Sequence, residues 1–178
     1  MKLHIGCGER NLAGYKHYDI RKIDGHIDFV GKAEDLSQFG DGSVDEIYAC
    51  HLLEHFGRWK VEEVLKEWSR VLVRGGVLRI AVPDFEAVVQ EYTENHNLEK
   101  LMGLLYGGQN YDYNYHYGIF DFAYLKEKLQ KSGFGKIERY DWKDFLPEGY
   151  DDCSRAYLPH MDIEHGRLMS LNVVAVKE

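Results

Sequence analysis

Lys2-Leu3-His4-Ile5-Gly6-Cys7-Gly8 is the stretch that decides the fold. A short apolar strand running straight into Gly-x-Gly is how an α/β sheet brings bare backbone against a ligand. The pattern puts this strand at the centre of a sheet. It leaves the ligand open, because a lone Gly-x-Gly also marks an ordinary tight turn.

Working outward, short segments rich in Val, Ile and Tyr recur at 15–20, 26–30, 44–49, 77–82, 136–142 and 168–176. They read as buried strands. Between them lie helical patterns. Over 59–72, Val61, Val64, Leu65, Trp68, Val71 and Leu72 recur at intervals of three and four, and Arg74-Gly75-Gly76 reads as the stop. Residues 122–132 read as a second helix with Leu125 and Leu129 on one side and Gly133 as its breaker. Residues 86–106 read as one or two more. Alternating strands and helices predict a mostly parallel sheet with right-handed crossovers. The last two strand-like runs, separated by 143–167 with no clear helix, are expected to pair antiparallel.

The 178 residues are enough for one domain with a proper core. The net charge of −8 argues against a nucleic-acid backbone as main partner, since phosphate binding needs clustered Lys and Arg. Cys7, Cys50 and Cys153 are odd in number and lack C-x-x-C, which fits a reduced cytoplasmic protein. No signal-peptide pattern is recognised, and no apolar run approaches a membrane span. Association of identical copies stays open.

Two details narrow the glycine loop. Asn11 stands where a dinucleotide fingerprint carries its third glycine, and residues 9–14 are too few for the usual following helix. Asp19 closes the second strand. A carboxylate there is acceptor-only and bidentate, which suits the two hydroxyls of a ribose; otherwise it is a solvated acid opening a turn.

Further along stand Ala33-Glu34-Asp35-Leu36, then Cys50-His51-Leu52-Leu53-Glu54-His55, then Glu67-x-x-Arg70-Val71-Leu72-x-x-Gly75-Gly76 and Val82-Pro83-Asp84. In order and spacing, with the late Tyr106-Gly107-Gly108-Gln109, Asn114-x-His116 and Ser170-Leu171-Asn172-Val173, the chain resembles class I S-adenosylmethionine-dependent methyltransferases. The branch it resembles joins a Gly-Cys-Gly loop to a Leu-Glu-His turn. The resemblance runs over nearly the whole chain. It implies a single Rossmann-like, doubly wound, mostly parallel seven-stranded domain over 1–178, with an antiparallel C-terminal hairpin and a helical, Tyr-rich insertion at about 85–118. It implies S-adenosylmethionine as cofactor, with Gly6, Cys7 and Gly8 under its methionine and ribose portions, Asp19 on the ribose and Ile20 against the adenine. Ala33 and Glu34 would flank the adenine edge; Cys50 and His51 would face the methionine moiety. Glu54 and His55 would be a structural helix start. Lys32 departs from the family, where an acid often meets the adenine amine; either Glu34 or Asp35 substitutes for it or the contact is lost.

For a hydroxyl acceptor a base helps, and His116 and His51 are the candidate catalytic residues. The Tyr111–Tyr117 run offers flat apolar faces beside polar groups, which suits a small polar molecule or a glycan. No residue is assigned to a metal. His51-x-x-Glu54-His55 also spells an inverted zinc-protease motif, a minor reading because that motif needs a long helix. His160, Asp162 and His165 read as a solvated loop. The non-enzymatic alternative is a cofactor-binding regulatory or scaffolding protein.

Overall fold

The computed structural model describes residues 1–23 and 25–178. β1 (Lys2–Ile5) pairs in parallel with β2 (Lys16–Asp19) on one side and β4 (Val44–Cys50) on the other. β3 (Phe29–Val30) extends the sheet beyond β2, and β5 (Leu72–Pro83) continues it in parallel beyond β4. β9 (Ser170–Lys177) inserts antiparallel between β5 and β6 (Phe134–Arg139). The sheet order is β3-β2-β1-β4-β5-β9-β6, so β1 lies beside the central strand. This is the seven-stranded, mostly parallel arrangement with an antiparallel end that the sequence pattern predicts.

Period-two alternation decides what each face receives. Leu3, Ile5, Ile47 and Ala49 point to the face covered by α1 (Val61–Val71) and α4 (Phe122–Lys131). Val61, Val64, Leu65 and Trp68 of α1 and Leu125 and Leu129 of α4 are fully buried there. Each such leucine contributes about 1.5–3 kcal/mol. Tyr48 and Cys50 point to the opposite face, which irregular chain covers instead of helices: Leu12, Trp142, Leu146 and Tyr157 pack there. Tyr157 belongs to a small ribbon of β7 (Tyr157–Leu158) and β8 (Arg167–Leu168). The connection after the glycine loop carries no helix, as its length of 9–14 anticipates.

At the C-terminal end of β5, Asp84 caps α2 (Phe85–Asn95) by accepting from the Glu86 N–H. α3 (Met102–Tyr106) follows, and Arg139 of β6 pairs with both Asp84 and Glu86.

Two expectations are corrected. Arg74-Gly75-Gly76 does not stop α1: the helix ends at Val71, and the chain is already extended at Leu72. Val44 pairs with Leu72 but Glu46 with Val77, so 73–76 bulges opposite Asp45. Gly75, at φ +78°, serves that bulge. The strand expected over 136–142 runs Phe134–Arg139, and Trp142 opens a 3₁₀ turn that plugs the non-helical face.

That face also buries His4, whose ring lies 5.7 Å from His17 and 5.0 Å from Tyr48. His4 Nδ1 has no partner. Burial, then the neighbouring His17 and His26, push its pKa down to about 3. The unfolded chain therefore takes up this proton below its ordinary value near 6.5 while the native state does not. Stability is complete above that value and falls as pH drops towards 3, by about 2 kcal/mol already at pH 5. Denaturant melts at pH 7.5 and 5.0 should show this loss added to that of the other buried histidines, and His4→Phe should reduce the total by about 2 kcal/mol. An unchanged pH slope in the variant would exclude His4 as the source.

Candidate functional site

The glycine loop is held from β2 and the chain just past it. Gly6 N–H donates to the Tyr18 carbonyl at 2.8 Å, Gly8 N–H to Asp19 Oδ2 at 2.8 Å, and Leu12 N–H to His17 Nε2 at 2.9 Å. His26 Nε2 donates to the Gly8 carbonyl at 2.9 Å. Gly6 sits at φ +66°, and a Cβ there would lie 2.7 Å from Leu52 Cδ1. Only glycine keeps this floor open without displacing Leu52.

Above the floor is a cavity of about 310 Å³, at the small end of ligand pockets. Gly6, Asp19, Ile20, Ala33, Glu34 and His51 line one side. Tyr111, Asp112, Tyr113, Tyr115 and Tyr117 line the other. The fold thus brings strand-end residues from the first third of the chain against a tyrosine rim about a hundred positions on.

The strand ends position these groups. Asp19 is nearly buried at the end of β2; its Oδ1 accepts from Arg21 N–H at 2.9 Å and Nε at 3.3 Å. The Arg21 guanidinium also stands 5.4 Å over the Tyr111 ring, joining the two walls. The 33–34 segment is fixed from α1: Trp68 Nε1–H donates to the Ala33 carbonyl at 2.8 Å, and Lys60 lies 3.5 Å from Glu34. Glu67 accepts from Leu36 N–H at 2.9 Å and pairs with Arg70, which gives both motif residues a bracing role.

At the end of β4, His51 adopts a left-handed backbone, φ +49°, uncommon for a side-chain-bearing residue. Its Nδ1 is 3.3 Å from Glu54 Oε1 and its Nε2 is 3.1 Å from Ser170 Oγ. Burial lowers the His51 pKa to about 3 and raises that of Glu54 to about 8. His55 Nδ1 donates to the Tyr115 carbonyl and His116 Nδ1 to the Leu104 carbonyl, each at 3.0 Å. Burial also lowers both of these rings below the ordinary histidine range.

Cys7, Gly8, Cys50 and His116 stand outside the cavity lining. Cys7 is buried under the loop, with its thiol pushed up to about 12 by burial. Gly8 meets Asp19 from below. Cys50 packs on the non-helical face. His116 lies behind Glu54, its Nε2 3.9 Å from Oε1. Arg21, Leu52, His55 and Phe56 line the cavity without having been singled out as ligand contacts. Arg21 and Leu52 stand two residues beyond the ends of β2 and β4, a sequence cue that would have found them, while His55 and Phe56 come only with the 3₁₀ turn that follows β4. Leu53–His55 is a single 3₁₀ turn, not the start of a long helix, so the zinc-protease motif lacks its helical face. His165 and Asp162 are 3.5 Å apart on the surface, and they join no larger ligand group among the described residues. No helix among the described residues is long and apolar enough to cross a membrane.

Residues 8–80 match a family model described as a methyltransferase domain. No curated protein matches the chain. Among solved structures, a Thermotoga maritima protein named as a SAM-dependent methyltransferase, possible histamine N-methyltransferase, is 19% identical, with 99% of this chain and 82% of that one covered and a TM-score of 0.60. A SAM-dependent methyltransferase from Methanosarcina mazei is 19% identical, with coverage of 99% and 91% and a TM-score of 0.58. One from Archaeoglobus fulgidus is 16% identical, with coverage of 99% and 85% and a TM-score of 0.58. These identities speak for the fold, and the family match covers the sequence from Gly8 through Asp19 to Ile80. Residues 8–80 thus match a methyltransferase domain, and over 99% of its length the chain shares the fold of these three solved structures.

Proposed function

We propose that this enzyme methylates a small polar molecule or a glycan, bound between the glycine-loop wall and the tyrosine rim. The observation that carries this is the shared cavity: Gly6, Asp19 and Ala33 face Tyr111, Tyr113 and Tyr117 across one space.

The residues fit the cofactor. The left-handed Gly6, where a Cβ would strike Leu52, leaves the bare surface a methionine or ribose portion needs. Asp19 would hold the ribose hydroxyls, Ile20 and the 33–34 segment the adenine. When bound, S-adenosylmethionine supplies an electrophilic methyl on a good leaving group, so the protein's contribution is chiefly alignment. The tyrosine rings offer flat faces for a sugar or similar ring, with Asp112 among them to accept hydroxyls. His51 is the candidate proton acceptor on the cavity wall, while His116 lies behind Glu54, outside the lining. Segment 85–118 acts in this reading as an insertion that supplies the acceptor side.

Thermal melts with 1 mM S-adenosylmethionine or its demethylated product test the first half. A ligand at a hundred times its Kd stabilises by about 2.7 kcal/mol, which for a chain of this size is a rise of roughly 5–11 °C. No rise would remove the cofactor assignment. Transfer of labelled methyl to a panel of polyols, sugars and amines tests the second half. A melt shift with no transfer to any acceptor would favour the regulatory alternative.

A further inference from the structure

Glu54 has no side-chain accessibility, and neither of its carboxylate oxygens has a hydrogen-bond partner. A buried carboxylate without donors is strongly disfavoured unless something else compensates it. Its surroundings are histidine nitrogens. One atom each from Glu54, His55 and His116 lie within 4.8 Å of one another. His51 Nδ1, 3.3 Å from Oε1, stands beside them but out of hydrogen-bond alignment.

Two further details concern orientation. Both His55 and His116 donate Nδ1–H to a backbone carbonyl, of Tyr115 and Leu104. That fixes each ring and leaves Nε2 as its lone-pair nitrogen, the arrangement that outer partners impose on metal-bound histidines. The three residues are also tied into one rigid unit. Tyr117 and Gly118 N–H both donate to the Glu54 carbonyl, and His116 N–H donates to that of Tyr106.

We propose that Glu54, His55 and His116 form a binding site for a divalent first-row transition cation, open towards the cavity through His55. Two imidazoles and one carboxylate suit Zn²⁺, Mn²⁺, Fe²⁺ or Co²⁺ better than the all-oxygen cations. Binding would draw the three donors to about 2.0–2.2 Å from the ion. It would supply the charge that the Glu54 carboxylate lacks. Because His55 and the rim tyrosines Tyr115 and Tyr117 line the cavity, the ion would stand beside the space assigned to the acceptor. There the ion would ligate an acceptor oxygen and ease its deprotonation. That last role rests on the methyl-transfer reading; the cation site itself does not.

The test titrates Co²⁺ into metal-free protein, followed by calorimetry and by the visible absorption of bound cobalt, with Mn²⁺ and Zn²⁺ as competitors. One equivalent is expected to bind. Glu54→Gln and His116→Ala should each weaken it at least tenfold, whereas His165→Ala, a surface histidine, should leave it unchanged. Binding of S-adenosylhomocysteine, measured on each variant, reports the folded state. Should a core variant lose that binding, the part-exposed His55→Gln takes its place with the same tenfold expectation. No cobalt binding by the wild type, or equal binding by Glu54→Gln and His55→Gln, overturns the cation site. Failure of the wild type to bind S-adenosylhomocysteine would instead strike the proposed function.

Discussion

Asp19→Ala is expected to weaken binding of S-adenosylhomocysteine about 100-fold, which corresponds to roughly 2.7 kcal/mol. Hydrogen bonds to a charged acceptor are worth about 1.5–3 kcal/mol each, and a ribose diol offers two donors. Asp19 is placed for both: Oδ2 has a lone pair beyond the one engaged by Gly8 N–H, and Oδ1 frees one when Arg21 Nε leaves. Arg21 reaches it at 3.3 Å from a half-exposed position, so the guanidinium can swing aside without unfolding anything. Asp19→Asn keeps one accepting oxygen and should fall between wild type and alanine. Alanine also removes the bonds that Gly8 N–H and Arg21 make to Asp19, about 1.5–3 kcal/mol for each to a charged acceptor, so a melt of the variant accompanies the affinity measurement. Calorimetry on the three proteins decides the matter, and equal affinities would remove the ribose assignment.

The second large effect is on stability. Trp68→Ala should destabilise the fold by about 3–5 kcal/mol, the usual range for an aromatic removed from a core. Trp68 is fully buried against the helical face of the sheet, and its indole N–H satisfies the Ala33 carbonyl. Truncation therefore opens a void and orphans a backbone acceptor at the cavity's edge. The midpoint should fall by roughly 6–20 °C. Trp68→Phe fills most of the void but leaves the carbonyl orphaned, so it should lose less stability yet still weaken cofactor binding by loosening 33–34. A loss below 1 kcal/mol in the alanine variant would show that the indole is not the anchor described.

Local patterns carried most of the architecture. Leu3 and Ile5, or Ile47 and Ala49, announce their strands because their neighbours face the other side of the sheet. The α1 stripe from Val61 to Trp68 is equally plain. Gly75-Gly76 misled because a left-handed glycine serves a helix end and a bulge alike, and only the pairing of Glu46 with Val77 distinguishes them. That Gly6, Asp19 and Ala33 line one cavity was legible because such sheets open their crevices at the carboxyl ends of strands. The meeting of Glu54 with His116 was not. It depends on how the 106–118 segment folds back onto the turn after β4, through amides that bond to the Glu54 carbonyl. No local periodicity encodes such a return.

The loop after Gly8, tied down by Asp19, His17 and His26 where related sheets place a helix, has an electrostatic meaning. A helix beginning there would present about half a positive charge to the ligand, the feature by which dinucleotide folds welcome a pyrophosphate. Without that dipole the loop offers bare amide and carbonyl edges, and its fixed partner Asp19 is an anion. Such a floor has little to attract a phosphate and nothing of a dipole to repel a sulfonium. Selectivity between nucleotide cofactors is therefore set partly by what the chain omits, and inserting a helical turn after Gly8 would shift the site's preference towards anions.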